Sequence, residues 1–220
     1  MGLLDSLLKS TVRSVERSVE RTTRKTVNQA EQKVANQVGN SIIKTVENDY
    51  HAISRDFTFD TLPTTLAELK ALQKNPADPF EICALAVLAL NAYENNPQEF
   101  ALMMDFLNGP DEVANRDLQL VQTQFAGAGA KYTVKSYFKG ATPENNYTPS
   151  MPYTITVHDN IYSYQNQNSG YISLFIPSGG ADSDRQVTVR FKASTNEWFI
   201  NNWQGLLMSI KTANEANPWA

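Results

Sequence analysis

The longest uninterrupted apolar segment of the chain, residues 82–90, is the feature that most narrows its possible folds. Asp78, Pro79 and Glu81 precede it as an N-cap, a proline at the first helical position and an acidic first turn. Together they predict a helix that runs to Tyr93. A helix that is apolar on every side must be covered on every side. The sequence therefore predicts a central helix around which the other elements of a globular domain pack.

Helix-start signals of the same kind appear on both sides of this segment. Thr65 and Glu68 form a capping box that opens a short helix. Asn96 and Pro97 repeat the cap followed by a proline. The other predicted helices cover residues 65–73, 96–107 and 112–125. These segments give the domain a helical half of about four helices.

Beyond Lys131 the hydrophobic period changes from that of a helix to that of a β-strand. Tyr153, Ile155 and Val157, for example, alternate with polar side chains, and turn-forming residues separate such segments. The predicted strands cover residues 132–136, 153–157, 172–176, 187–191 and 198–200, and residues 206–210 form either a last strand or a short helix. Helices followed by strands predict the α+β class, with the helical half packed on one face of an antiparallel sheet of five to six strands.

The first 46 residues differ from the rest of the chain in charge. They carry eight basic and four acidic side chains, a net charge of +4. Because the whole chain carries −4, residues 47–220 carry −8. Apolar side chains recur along them at steps of three and four, which is the spacing of one face of a helix. We therefore expect a basic amphipathic helical arm over 1–46, a hinge over 47–63 and an α+β globular domain over 64–220.

The apolar face of this N-terminal arm is thin, and such a helix needs another surface to be stable in water. Self-association in a coiled-coil-like bundle, or docking on a partner protein, is the first hypothesis. Binding to an anionic membrane surface is the alternative, because a leucine-rich tip is followed by basic residues. Docking on its own domain, or a solvated linker, is the third. The side chains expected to make the contact are Leu3, Leu4, Leu7, Leu8, Val12, Val15 and Val19.

Residues with reactive or metal-binding side chains are scattered. His51 and His158 are isolated from each other and from further ligands, whereas a metal site needs several. Cys83 is the single cysteine and lies in the apolar helix, where we expect it to be a core residue and not a nucleophile. We therefore expect no catalytic residue, metal or cofactor. The acidic remainder of the chain argues against nucleic acid as a partner, since phosphate binding needs clustered Lys and Arg.

The sequence predicts the cellular location of the protein by elimination. A single cysteine, the lack of a signal peptide and the shortness of the longest apolar run favour a cytoplasmic protein. Attachment to the inner face of the membrane through the arm is the alternative.

The loop over residues 178–184 is the candidate rim of a ligand pocket. Ser178, Gly179 and Gly180 are similar to a phosphate-binding turn, but the lysine and the helix that complete a P-loop do not follow, and Asp184 would repel phosphate. A plain hairpin loop is the simpler interpretation. If the domain does hold a pocket, the predicted ligand-binding residues are Asp182, Arg185 and Trp198.

The same loop belongs to a longer pattern. The pattern consists of Ser-Gly-Gly-Ala-Asp-Ser at 178–183, Arg185, Val-Thr-Val-Arg at 187–190, Trp198 and Gly-Leu-Leu at 205–207. It resembles a bacterial domain family of unknown function found in clostridia-like genomes, over about residues 75–212. The resemblance implies no activity, because none is assigned to that family. The order of helices and sheet is also similar to nuclear-transport-factor-like cones, which hold small ligands.

These observations favour a non-enzymatic binding or assembly module whose ligand is unknown. A small-ligand-binding or enzymatic cone-like domain is the rival hypothesis, and it would bring perturbed carboxylates or a histidine together in a cavity. A peripheral membrane protein anchored by the arm is the third.

Light scattering tests the role of the arm. We expect the full-length chain to contain more subunits than a truncated chain that starts near residue 64, because the arm supplies the self-association surface. Equal subunit numbers would contradict self-association. Co-sedimentation of the isolated arm with anionic liposomes would favour the membrane hypothesis instead.

Overall fold

Five helices and five strands make up the part of the chain that the computed structural model describes, residues 50–127 and 130–219. In chain order they are β1 (Ser54–Phe59), α1 (Leu66–Leu72), α2 (Pro79–Ala92), α3 (Pro97–Asn108), α4 (Asn115–Phe125), α5 (Ala130–Lys135), β2 (Tyr153–His158), β3 (Tyr171–Ile176), β4 (Arg185–Lys192) and β5 (Glu197–Asn202). The predicted arm, with its contact residues from Leu3 to Val19, lies outside the described residues.

The five strands form one curled antiparallel sheet in the order β1-β2-β3-β4-β5. β1 pairs with β2 along its whole length, from Ser54 opposite His158 to Phe59 opposite Tyr153. β2 and β3 share only the pair of His158 and Phe175, whereas β3, β4 and β5 pair extensively. Strands that follow each other in sequence are thus neighbours in the sheet, as in a meander. The α+β class predicted from the sequence is confirmed.

Strand β1 was not predicted from the sequence. It lies in the segment interpreted as a hinge, although Phe57 and Phe59 do alternate there with Asp56 and Thr58. The signal is weak because an edge strand with one exposed polar face has few apolar residues. A truncated chain for light scattering should therefore begin at His51, since a start near residue 64 would remove a strand of the sheet.

Helix α2 forms the centre of the core, as its apolar sequence predicted. It contacts all five strands and also α1, α3 and α5. Every side chain from Phe80 to Leu90 is buried, and Leu85, Val87 and Leu88 are fully buried. The strands contribute the buried residues Ile155, Val157, Ile172, Leu174, Val187, Val189 and Ile200 to the same cluster. The three predicted helix starts are confirmed, because the side chains of Thr65, Asp78 and Asn96 all accept backbone N–H groups at their helix N-termini.

The strand predicted over residues 132–136 is wrong, because Ala130–Lys135 forms helix α5. The prediction used the alternation of Tyr132, Val134 and Ser136 with polar neighbours. Thr133 is buried as well, since α5 packs against α2, α4 and the 3-10 turn Gln204–Leu207. Burial is therefore continuous, and so short a segment does not distinguish the two periods. The segment over 206–210, left open in the prediction, overlaps the end of that 3-10 turn.

Four carboxylates hold the connecting segments in place by accepting backbone N–H groups. The pairs are Glu81 with Lys74 and Asn75, Glu99 with Leu66, Asp105 with Val113, and Asp159 with Ile53. Glu81 is only 6 % exposed and accepts both of its hydrogen bonds within 2.9 Å. Hydrogen bonds to a charged acceptor are stronger than neutral ones, and they satisfy loop amides that no helix or strand pairs.

The central position of α2 predicts how its leucines respond to truncation. We expect Leu88→Ala to lower the free energy of unfolding by about 2–5 kcal/mol, because it leaves a cavity in the middle of the core. Leu102→Ala is the control: it removes the same atoms from a side chain on α3 that is 49 % exposed. The control should change stability by less than about 0.5 kcal/mol. Urea denaturation measures both, and equal losses would contradict the central role of α2.

Candidate functional site

The loop between β3 and β4, predicted as a pocket rim, joins two other parts of the chain. Ser178 Oγ lies 2.7 Å from Ser136 Oγ, and the N–H of Gly179 donates to the carbonyl of Ser136 at 2.8 Å. On its other side, the carbonyl of Gly180 accepts the N–H of Lys211 at 2.8 Å. The loop therefore ties the end of α5 to the C-terminal segment of the domain.

The two glycines of this loop lie where a side chain does not fit. A Cβ atom on Gly179 would be 1.9 Å from the carbonyl oxygen of Ala141. A Cβ atom on Gly180 would be 2.1 Å from the hydroxyl oxygen of Tyr147. Tyr147 is fully buried and donates from that hydroxyl to the carbonyl of Lys211 at 2.6 Å. Close packing thus accounts for both glycines.

The structure separates one of the three predicted ligand-binding residues from the other two. Arg185 is 8 % exposed and donates to a backbone carbonyl of the C-terminal segment at 2.8 Å. Asp182 has an 87 % exposed side chain, and its hydrogen bond with Lys211 lowers the pKa of its carboxyl group. Trp198 lies opposite Phe191, six residues along β4 from Arg185. That separation is roughly 20 Å at about 3.3 Å per residue, so Trp198 does not share a site with the other two.

The residues considered for chemistry lie in separate environments. Cys83 is fully buried, and burial raises the pKa of its thiol. His51 is exposed, and His158 places Nε2 at 2.7 Å from Asp184 Oδ2. Across residues 50–127 and 130–219, no three His, Cys, Asp or Glu side chains cluster closely enough to hold a metal ion. In the same two ranges, no helix combines the length and apolar character that crossing a membrane requires.

A groove of about 350 Å³ runs along the β5 edge of the sheet. The loop that follows α3 and the start of α4 form one side, and the ends of β4 and β5 form the other. This groove was not predicted from the sequence. Its polar and aromatic lining includes Asp111, Glu112, Asp117, Arg190, Lys192 and Phe199.

Opposite charges face each other across this β5 groove. Arg190 and Lys192 project from the same face of β4, and the ammonium of Lys192 lies 5.9 Å from the centre of the Phe199 ring. The carboxylate of Asp111 lies 3.7 Å from the guanidinium of Arg190. Those two side chains are 73 % and 55 % exposed, so their ion pair is weak. Both charges therefore remain accessible to a ligand.

Strand β5 also turns backbone groups towards the groove. The N–H of Trp198 points away from β4 and donates to the carbonyl of Pro76 at 2.9 Å. Because bonding direction alternates along an antiparallel strand, Ile200 presents its N–H and C=O to the same edge. Ile200 is only 2 % exposed, so these two groups lie at the buried floor of the groove. The groove is lined by the three successive residues Phe199, Ile200 and Asn201, as expected when it follows the edge of a strand.

Comparison with known proteins identifies a family without a known activity. A family model described as "Domain of unknown function (DUF6935)" matches residues 61–214. This match confirms the resemblance to a domain family of unknown function. No curated protein and no solved structure matches the chain.

The packing around Gly179 predicts the effect of adding one methyl group. We expect Gly179→Ala to lower the free energy of unfolding by about 1–3 kcal/mol, because its Cβ would overlap a backbone oxygen that a side-chain rotation does not move. Gly127→Ala is the matched control, since no atom lies within 4 Å of the added Cβ. Thermal or urea unfolding measures both. A Gly179→Ala chain as stable as the control would show that the loop is not a tight junction.

Proposed function

The chain belongs to the family of domains of unknown function DUF6935, and from the surface of its structure we propose that it is a non-enzymatic binding and assembly module. Its β5 groove binds an extended segment of a partner protein. The observation that carries the proposal is that the groove along the edge strand β5 is lined by exposed side chains of both charges.

The backbone of β5 supports the addition of an extended segment. The N–H of Trp198 already donates to the carbonyl of Pro76, so this edge is hydrogen-bonded to one residue of another segment. Ile200 is the next bonding position along the strand. A peptide that continues the line of Pro76 pairs its backbone with Ile200 once the groove opens around this residue, which is 2 % exposed in the structure. Strand addition of this kind draws affinity from backbone hydrogen bonds and specificity from alternate side chains.

The charges of the groove determine which segments it prefers. A basic side chain of the ligand complements Asp111 and Glu112, and an acidic one complements Arg190 and Lys192. The volume of about 350 Å³ is at the lower end of the range of about 300–1,000 Å³ that ligand pockets span. The groove therefore suits a few side chains of a peptide better than a large cofactor.

The N-terminal arm is the assembly part of the proposal. Its support is the sequence alone, in which the apolar residues from Leu3 to Val19 recur at helical spacing within a basic segment. Self-association through that face places several β5 grooves on one assembly. Binding of a multivalent partner is then strengthened by the high effective concentration of linked sites.

Selection from a library of short random peptides on the full-length chain tests the β5 groove. We expect the enriched peptides to carry both charges and to shift the backbone amide NMR signals of Ile200 and Asn201. Asp111→Lys should weaken their binding by about tenfold, which corresponds to about 1.4 kcal/mol. Asp60→Lys is the matched control, because it makes the same charge change at an exposed position outside the groove lining and should leave binding unchanged.

Two results would count against this proposal. Peptides that perturb a different surface, or that bind the Asp111→Lys chain as tightly as the wild type, would contradict the groove as the binding site. Turnover of a small molecule bound in the groove would favour the rival enzymatic hypothesis.

A further inference from the structure

The opposite edge of the sheet is open as well, and we propose that β1 pairs with β1 of a second copy of this chain about a twofold axis. This inference goes beyond the β5 groove, and it rests on the proposed self-association of the arm, which brings the copies together. A twofold axis requires a strand to be complementary to itself. The residues of β1 must therefore be compatible with the same residues of a second β1 that runs in the opposite direction.

The hydrogen bonds of β1 identify which of its backbone groups are open. The N–H of Asp159 donates to the carbonyl of Ile53 at 3.0 Å, which extends the pairing of β1 with β2 by one residue. Bonding direction alternates along the strand, so Ser54, Asp56 and Thr58 turn their N–H and C=O groups away from β2. Throughout residues 50–127 and 130–219, no hydrogen bond reaches the backbone of these three residues.

The surroundings of β1 leave room for a neighbouring strand. Its residues from Ser54 to Asp56 are exposed, as is Thr58. Between this edge and the segment that follows α1 lies a groove of about 300 Å³, bordered by Leu72, Lys74 and Asn75. The β1 edge thus offers three open bonding positions on exposed residues, whereas Ile200, the corresponding position on the β5 edge, is buried.

Charge disfavours two registers for the self-pairing of β1. A twofold axis at Arg55 places two guanidinium groups opposite each other, and an axis at Asp56 does the same with two carboxylates. Like charges directly opposite each other destabilise a strand pair. The hydrogen bond from Lys139, at 2.6 Å, lowers the pKa of Asp56, so this carboxyl group stays charged. An axis at Phe57 avoids both clashes.

The register centred on Phe57 also brings complementary side chains together. Asp56 lies opposite Thr58 of the second copy, so a carboxylate faces a hydroxyl donor. Phe57 lies opposite its own symmetry mate at a position where cross-strand side chains approach most closely. Arg55 lies opposite the buried Phe59 and keeps its own ion pair with Asp78, so this position adds no clash. The backbone groups of Asp56 and Thr58 then exchange hydrogen bonds across the axis.

Such a pairing is short, so it needs the arm to hold the two copies together. Only residues 55–59 of each copy face each other in this register, about the length of one average strand. Two copies held together by their arms meet at a high effective concentration, so a weak contact is populated without being strong by itself.

Cysteine cross-linking of full-length chains tests the register. Directly opposite residues have Cα atoms about 4.5–5.5 Å apart, which lies within the range that a disulfide spans. We expect a mixture of Asp56→Cys and Thr58→Cys chains to cross-link under mild oxidation several-fold more than either chain alone. The native Cys83 is fully buried and adds little background. Gln186→Cys, at an exposed position on the inner strand β4, is the control and should not cross-link.

Each alternative outcome is informative when light scattering is measured on the same samples. Cross-linking mainly among Asp56→Cys chains would overturn the register centred on Phe57. An oligomeric chain that cross-links no more than the Gln186→Cys control would overturn the β1 pairing and leave the proposed role of the arm intact. A monomeric chain without cross-links would overturn both.

Discussion

The packing of α2 against all five strands is the interaction on which the rest of the structure depends. The helix is apolar on every side, so each neighbouring element is placed where it removes part of that surface from water. The sheet covers one side, and α1, α3 and α5 cover others. Because the interior is filled by aliphatic and aromatic side chains and Cys83 is enclosed among them, the accessible polar chemistry lies at the edges of the sheet and in the loops.

The loops are held by a small number of polar contacts that regular structure does not supply. Carboxylates such as Glu81 and Asp159 accept loop amides, and the loop with Gly179 and Gly180 packs against backbone on two sides. The residues that gave the sequence its family resemblance therefore have a structural explanation. Arg185 anchors the C-terminal segment, and Gly205 lies so close to the carbonyl of Gln186 that a Cβ would be 2.9 Å away.

An open sheet has two edges, and the two edges of this sheet differ. The β5 edge is partly occupied by Pro76 and flanked by a charged loop, which suits a short segment of a partner. The β1 edge exposes more backbone and has a self-complementary order of side chains. An unpaired edge is a template for another strand, so both proposals follow from the same property of the fold.

The sequence by itself determined the α+β class, the first four helices and most of the sheet. Caps at Thr65, Asp78 and Asn96 and the alternation in β2 to β5 are local signals, and local energetics decide them. Tertiary structure alone decided that α5 is a helix and which strand β1 pairs with. It also placed the loop after α3 beside β5, where Gly109, at a φ of 81°, lies against the ring of Phe199. Those outcomes depend on contacts between residues far apart in sequence, which no local period or cap encodes.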